Sequence, residues 1–221
     1  MTKKREKIEK GRPKTGPEAP KNLEANAREY FRNAESFKKK HQQRSMRECY
    51  EKALELGSAS ERPDGLAIAA EASLYLGHIA KTRDAWGLAL ERYKESIELG
   101  RKSGTSAGFY AAALAAWNLG NTYEEAGMEG LEPAFRDAIQ LGRDSNTPIA
   151  LEVAAKAAFN LAVNLEPAEG SGSIQDIEIV EKVWREAIDL GKASGTKVGA
   201  QVADKAKQYL AELLEIKNKG T

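Results

Sequence analysis

Apolar side chains recur along most of the chain at spacings of three and four residues, which gathers them on one side of an α-helix. In the first such stretch Leu23, Ala27, Phe31 and Ala34 are spaced in this way. Short polar segments separate this stretch from the later ones. The pattern predicts a series of helices joined by turns over residues 22–216.

A second pattern repeats on a longer scale. In four places an aromatic residue stands seven residues before a glycine, and a small residue follows three after the aromatic. The four pairs are Tyr50 and Gly57, Tyr93 and Gly100, Phe135 and Gly142, and Trp184 and Gly191. Successive glycines are 43, 42 and 49 residues apart. A nearly fixed period of this size is typical of stacked helical hairpins.

The residues at the ends of the repeats predict where the helices stop. We expect the repeat glycine, as at Gly57, to form a left-handed cap. Three repeats then continue with Ser103-Gly104-Thr105, Ser145-Asn146-Thr147 and Ser194-Gly195-Thr196. Gly and Asn tolerate a positive φ, and Thr can cap the following helix. Pro148 suits a first helical position, and Ser173 is expected to cap the helix after a long loop at 166–173.

Four of the five predicted first helices carry a Leu followed by a small residue, whereas the first has Asn33-Ala34 at this position. Leu76-Gly77 is one of the four pairs. In that repeat Leu76, Ala89, Tyr93 and Ser96 are spaced as in the tetratricopeptide repeat family, which residues 22–216 resemble. The period is about nine residues longer than the usual 34 of that family, as in its long-helix subgroup. The resemblance implies an all-α, right-handed superhelical solenoid of four helical hairpins, and the final helix, 197–216, is expected to cap it.

The resemblance also implies that the first helices line a concave groove. The predicted groove residues are Arg28, Phe31, Leu74, His78, Lys81, Trp117, Asn121, Lys156 and Phe159. Four of them, Phe31, Leu74, Trp117 and Phe159, hold the same position in successive repeats. They are either anchors for a ligand or core residues between helices. We expect His78 to be solvated.

Charge divides the chain unevenly. The net charge is +1, but Lys and Arg are in excess over residues 1–47, while Asp and Glu are in excess over residues 48–221. Residues 1–21 are rich in Lys, Arg, Pro and Gly, with Ile8 as their only branched aliphatic residue. They are expected to be a disordered basic tail, which either contacts an acidic partner or only keeps the protein soluble. Residues 217–221 are also expected to be disordered.

The sequence offers little for catalysis. It has two histidines and a single cysteine, Cys49, and it lacks zinc-binding and phosphate-loop motifs. We therefore expect no catalytic residue, no metal and no cofactor. No uninterrupted apolar run reaches the ~18–20 residues of a membrane span. The basic start lacks an apolar segment, so we expect no secretory signal and a reducing, cytoplasmic location.

These observations favour a non-enzymatic interaction module or scaffold that holds a peptide or helix of another protein in the groove. One alternative is a nucleic-acid-associated protein in which residues 1–47 contact phosphates. A second is a regulatory array that senses a small peptide. The oligomeric state is left open.

Overall fold

The computed structural model describes residues 20–166 and 173–219. Residues 1–19 of the predicted tail, positions 167–172 of the long loop, and residues 220–221 lie outside the described residues. The described part forms nine α-helices and no strand. They are α1 Pro20–Lys39, α2 Gln43–Ala59, α3 Pro63–Lys81, α4 Trp86–Ser103, α5 Ser106–Glu125, α6 Leu131–Ser145, α7 Pro148–Leu165, α8 Ile174–Ser194 and α9 Lys197–Lys219.

Two predicted boundaries are corrected. Helix α1 begins at Pro20 rather than at residue 22, because proline is well tolerated in a first helical turn. Helix α9 continues to Lys219, so residues 217–219 are helical and not disordered. In this added segment the Lys217 ammonium group lies 3.2 Å from the Glu181 carboxylate on α8.

The helices stack in two rows. Each helix packs against the next one along the chain, and each odd-numbered helix also contacts the next odd-numbered helix. The even-numbered helices make no comparable contacts with one another in the described ranges. Helices α1, α3, α5, α7 and α9 therefore form an inner row and the even helices an outer row. The predicted all-α solenoid of four hairpins and a final helix is confirmed.

In the second and third hairpins, the aromatic residue of the second helix fills the space left by a glycine on the first helix. Tyr50, Tyr93, Phe135 and Trp184 are all fully buried. A Cβ atom at Gly77 would lie 2.6 Å from the Tyr93 ring, and one at Gly120 would lie 2.5 Å from the Phe135 ring. In these two repeats the small residue after the Leu is thus a contact site for the aromatic ring.

The prediction that the repeat glycine ends its helix is wrong. Helix α2 continues past Gly57 to Ala59, and Gly100 lies three residues inside the end of α4. The left-handed residue at the end of α4 is instead Gly104, with φ of 64°. A Cβ atom at Gly100 would lie 2.3 Å from the carbonyl oxygen of Gly108 on α5. The glycine is required because two helix backbones touch there.

The four equivalent contacts, which we term the glycine joints, connect each second helix to the first helix of the next repeat. They pair Gly57 with Gly65, Gly100 with Gly108, Gly142 with Ala150, and Gly191 with Gly199. A Cβ atom on the second-helix glycine would lie 2.3 to 2.6 Å from the partner's carbonyl oxygen in all four. Such contacts allow Cα–H···O interactions between the helices.

The third joint shows which of the two glycines can be replaced. In the second joint, the Ser103 hydroxyl donates to the Gly100 carbonyl oxygen at 2.7 Å and lies where a Cβ atom of Gly108 would be. In the third joint Ala150 replaces this glycine. The equivalent Ser145 hydroxyl donates instead to the carbonyl oxygen of Ser106, at 2.8 Å. The serine hydroxyl can therefore turn to another acceptor and make room for a Cβ atom on the first-helix residue. The carbonyl group opposite the second-helix glycine belongs to the backbone and cannot turn away in this manner.

The predicted starts of α5, α7 and α8 are confirmed. The Thr105 side chain accepts a hydrogen bond from the Gly108 N–H, and Thr147 accepts one from the Ala150 N–H. Pro148 occupies the first turn of α7. Ser173 and Asp176 form a capping box at the start of α8.

Helix α9 ends the array with a polar face. On α7, Ala155 and Ala158 are fully buried. The residues 49 positions later are Asp204 and Lys207, which are exposed and form a 2.7 Å ion pair. This face is polar where a further repeat would need an apolar surface, as expected of a terminal cap.

Helix α7 is the one described helix that is long and apolar enough, by length and composition, to cross a membrane. It packs against α5, α6, α8 and α9. Its four alanines between 154 and 158 are buried, and Lys156, which lies between them, is half-buried. Lys156 pairs with Glu152 at 2.7 Å. These contacts are those of a core helix.

Replacing the joint glycine should destabilise the fold. We expect Gly100→Ala to lower the free energy of unfolding by at least ~1–3 kcal/mol, because the new methyl group overlaps backbone atoms. Gly87→Ala is the matched control on the same helix, since a Cβ atom there meets nothing within 4 Å; it should be neutral or stabilising. Gly108→Ala should cost less than Gly100→Ala, as Ala150 indicates. Chemical denaturation measures all three, and equal stability of the first two variants would contradict the joint.

Removing α9 should destabilise the array and promote association. Tyr209 of α9 stacks on Trp184 at 5.1 Å between ring centroids, so deletion of residues 197–221 uncovers an apolar surface. We expect a lower melting temperature and a larger species in size-exclusion chromatography. A truncated chain that melts like the full chain and stays the same size would show that α9 is not a cap.

Candidate functional site

The inner face consists of the side chains on α1, α3, α5, α7 and α9 that point away from the outer row or towards the next inner helix. All nine predicted groove residues lie on α1, α3, α5 and α7. Arg28 is exposed, and most of the others are half-buried. Leu74 is only 2% exposed and belongs to the core, so its assignment to the groove is wrong. Its side chain is small enough to be covered by neighbouring helices.

The three aromatic residues equivalent to Leu74 contact both the core and the inner face. Lys156 lies above the Trp117 ring, with its ammonium group 5.7 Å from the ring centroid. Lys205 lies 5.0 Å above Phe159 in the same way. Phe31 packs against Tyr50 at 5.5 Å. We term the rings of Phe31, Trp117 and Phe159 the aromatic floor of the inner face. Lysines of the following repeat lie over the last two of these rings.

Polar side chains connect successive inner helices above this floor. The Asn160 amide of α7 donates to the Asn121 side-chain oxygen of α5 at 2.8 Å. Lys81 of α3 pairs with Glu125 of α5 at 2.7 Å. The side-chain amides of Asn121 and Asn160 each still have a hydrogen-bond donor or acceptor for a group other than each other. Sequence analysis missed Asn160, although it precedes the repeat Leu161 just as Asn118 precedes Leu119.

His78 is less solvated than predicted. Its ring is half-buried, edge-on to Tyr75 at 6.0 Å and to Tyr93 at 5.7 Å. Burial lowers the pKa of the imidazole, and a hydrogen bond with Asn118 opposes this shift. The positive charges of Lys38 and Lys81 lower the pKa further. His78 is therefore mainly neutral at pH 7.

Carboxylates on the first two inner helices, Glu35 on α1 and Glu71 on α3, influence each other through their charge. Glu35 of α1 accepts a hydrogen bond from the Tyr50 hydroxyl and lies 3.7 Å from the Lys38 ammonium group. That ammonium group is 4.3 Å above the Tyr75 ring. Burial raises the pKa of the Glu71 carboxyl on α3, and the negative charge of Glu35 raises it further. Sequence analysis did not single out Glu35 or Glu71 as ligand-binding residues.

The second-helix aromatics place their polar atoms in different surroundings. The Tyr50 hydroxyl donates to Glu35, and the Trp184 indole N–H donates to Glu166 at 3.1 Å. The Tyr93 hydroxyl is buried without a hydrogen-bond partner among the described residues. Burial raises its pKa, and Glu125 raises it further, so the hydroxyl remains protonated.

Features associated with metal binding or thiol chemistry are weak in this part of the chain. In residues 20–166 and 173–219 no group of three His, Cys, Asp or Glu side chains could hold a metal ion. Cys49 is half-buried, and burial raises the pKa of its thiol. A protonated thiol is a poor nucleophile.

No family model matches the chain, and the comparison with curated proteins found no match. Among solved structures, the chain is similar to the de novo designed helical repeat protein DHR64, at 16% identity over 90% of this chain and 98% of that one, with a TM-score of 0.34. The DHF58 filament shares 19% identity over 90% and 97%, with a TM-score of 0.34. The DHF46 filament shares 18% over 87% and 98%, with a TM-score of 0.32. TM-scores this low indicate nothing about function.

The two buried tyrosines should respond in opposite ways to loss of the hydroxyl. Tyr93→Phe removes an unpaired polar group, so we expect unchanged stability or a gain of about 1 kcal/mol. Tyr50→Phe removes a hydrogen bond to a carboxylate and should cost ~1.5–3 kcal/mol. Denaturant unfolding of both variants makes the comparison, and a larger loss for Tyr93→Phe would show that its hydroxyl has a partner in solution.

Proposed function

We propose that this protein is an interaction module whose inner face holds a peptide or helix of another protein. The observation that supports this most is the continuity of the inner face from one repeat to the next. Asn121 and Asn160 pair across one helix boundary, and Lys156 covers Trp117 at the same boundary. Polar groups over an aromatic floor can bind both the backbone and the side chains of a peptide.

The size of the inner row suits such a ligand. Packed helices lie ~8–10 Å apart, so the four intervals between five inner helices span roughly 32–40 Å. An extended peptide advances ~3.3–3.6 Å per residue, so about eleven residues would cover the row. The amides can pair with peptide N–H and C=O groups. Lys81 and Lys156 already pair with Glu125 and Glu152, so the amides carry the recognition of the peptide backbone.

The resemblance to tetratricopeptide repeats supports the same function, because it places the first helices along a peptide-binding groove. On this proposal the protein is a cytoplasmic scaffold that performs no catalysis and needs no cofactor. A regulatory array that senses a small peptide would use the same face.

A nucleic-acid-binding function is the second candidate. Lys39, Lys40 and Arg44 are exposed around the turn between α1 and α2, close in sequence to the basic residues 1–19. However, Arg44 pairs with Glu48 at 2.9 Å and Arg47 pairs with Glu51 at 2.8 Å, which lowers the positive charge available for phosphates. Fluorescence anisotropy with single- and double-stranded oligonucleotides tests this candidate, and binding that weakens steeply with salt would favour it.

A selection of displayed 12-residue peptides against the full chain tests the main proposal. We expect selected peptides to bind at least about tenfold more weakly to Asn121→Ala and to Lys156→Ala, because both changes remove polar groups from the centre of the inner face. Gln140→Ala on α6 and Lys182→Ala on α8 are matched controls in the outer row and should bind normally. Melting temperatures of all four variants exclude unfolding as the cause.

The proposal fails if no peptide is enriched over a control selection. It also fails if the outer-row variants weaken binding as much as the inner-face variants do.

A further inference from the structure

Glu71 on α3 is an unpaired carboxylate in a structure that pairs its other half-buried acids. In the described ranges the half-buried Asp and Glu side chains with an ion-pair or hydrogen-bond partner are Glu24, Glu35, Glu95, Glu132, Asp137, Glu152, Glu181 and Glu186. Glu71 is half-buried and makes no such contact with any described residue.

The charged and titratable groups around Glu71 leave it short of positive charge. Glu35 on α1 raises the Glu71 pKa, and Lys38 on α1 lowers it less than burial and Glu35 raise it. Burial raises the pKa of Tyr75 to about 12, and the charges of Glu71 and Glu35 contribute to this rise. Burial also raises the pKa of Tyr110 on α5, with contributions from Glu71 and Glu152. A half-buried anion in this position would gain free energy from a cation.

The Tyr75 ring shows that the adjacent surface can accept a cation. The Lys38 ammonium group lies 4.3 Å from the Tyr75 ring centroid, within the range of a cation–π contact. Lys38 is on a flexible side chain that is 48% exposed, so it can move aside. A cleft of about 240 Å³ opens beside the ring, and its walls include Lys38, Met46, Tyr75 and Ile79 but neither of the two carboxylates. Its apolar residues offer surface for the stem of a long side chain.

We propose that Glu71, Glu35 and the Tyr75 ring form a binding site for a cationic side chain, Arg or Lys, of the peptide held on the inner face. This inference rests on the proposed function for the source of the cation. It adds the chemistry of one anchor, a basic residue that docks between α1 and α3. Arginine suits the site best, because its planar guanidinium group can stack on the ring while it donates to both carboxylates.

The site can be tested with a defined small probe. Nuclear magnetic resonance titration of the full chain with N-acetyl-argininamide should give saturable shifts of the Tyr75 and His78 ring signals. The neutral analogue N-acetyl-citrullinamide should give none. Glu71→Gln should weaken binding of the arginine compound at least about tenfold, whereas Glu91→Gln, an exposed outer-row control, should leave it unchanged. Equal shifts by the two compounds, or equal binding by Glu71→Gln, would overturn the proposal.

Stability separates a binding role from a structural one. Because Glu71→Gln removes an unpaired charge, the free variant should melt no lower than the unsubstituted chain. A lower melting temperature together with unchanged probe binding would assign Glu71 to the fold instead.

A second variant identifies the source of the cation. In a full chain whose Lys and Arg residues within 1–19 are changed to Ser, the probe should bind as it does to the unsubstituted chain. If only this variant binds the probe, the chain's own N-terminal residues occupy the site, and its assignment to a partner is overturned.

The selected peptides distinguish this inference from the proposed function. Peptides that bind the inner face but require neither a basic residue nor Glu71 overturn the cation site and leave the proposed function standing. Probe binding at Glu71 without any selected peptide supports the cation site and counts against the proposed function.

Discussion

Successive repeats of this solenoid are held together by direct contact between helix backbones at a glycine. At Gly100 and its three equivalents each second helix approaches the next first helix so closely that a Cβ atom would lie 2.3 to 2.6 Å from a carbonyl oxygen. An added methyl group would separate the helices by more than a well-packed core can absorb. Because the second helix belongs to one repeat and the first helix to the next, this contact determines how the repeats follow one another.

The inner face depends on this spacing. When each second helix approaches the next first helix closely, successive first helices also contact one another. Side chains as short as Asn121 and Asn160 can then meet across a helix boundary. Within the hairpin, the contact of Tyr93 with Gly77 has the same effect. Small residues thus align the inner helices, and polar side chains then make them a continuous surface.

The hairpins, their order and most helix starts could be predicted from the sequence, because those signals are local. Thr105 and Ser173 cap helices through residues three positions away. The role of Gly100 could not be predicted in the same way, since glycine serves both left-handed caps and close packing, and only the structure shows Gly108 opposite it. Leu74 and Trp117 share a repeat position, but Leu74 is small enough to be covered completely. The contact of Lys156 with Trp117 joins residues 39 positions apart, beyond the reach of helical periodicity.

The inner face also differs along its length. At α5 and α7 its carboxylates, lysines and amides pair with one another, whereas at α1 and α3 Glu71 remains without a partner. The alignment of the inner helices follows from the glycine joints, which nuclear Overhauser spectroscopy can measure directly. We predict cross-peaks between the α-protons of Gly100 and Gly108, with equivalents for Gly57 with Gly65 and Gly191 with Gly199. Absence of all three in the folded chain would contradict the backbone contact and the arrangement of repeats derived from it.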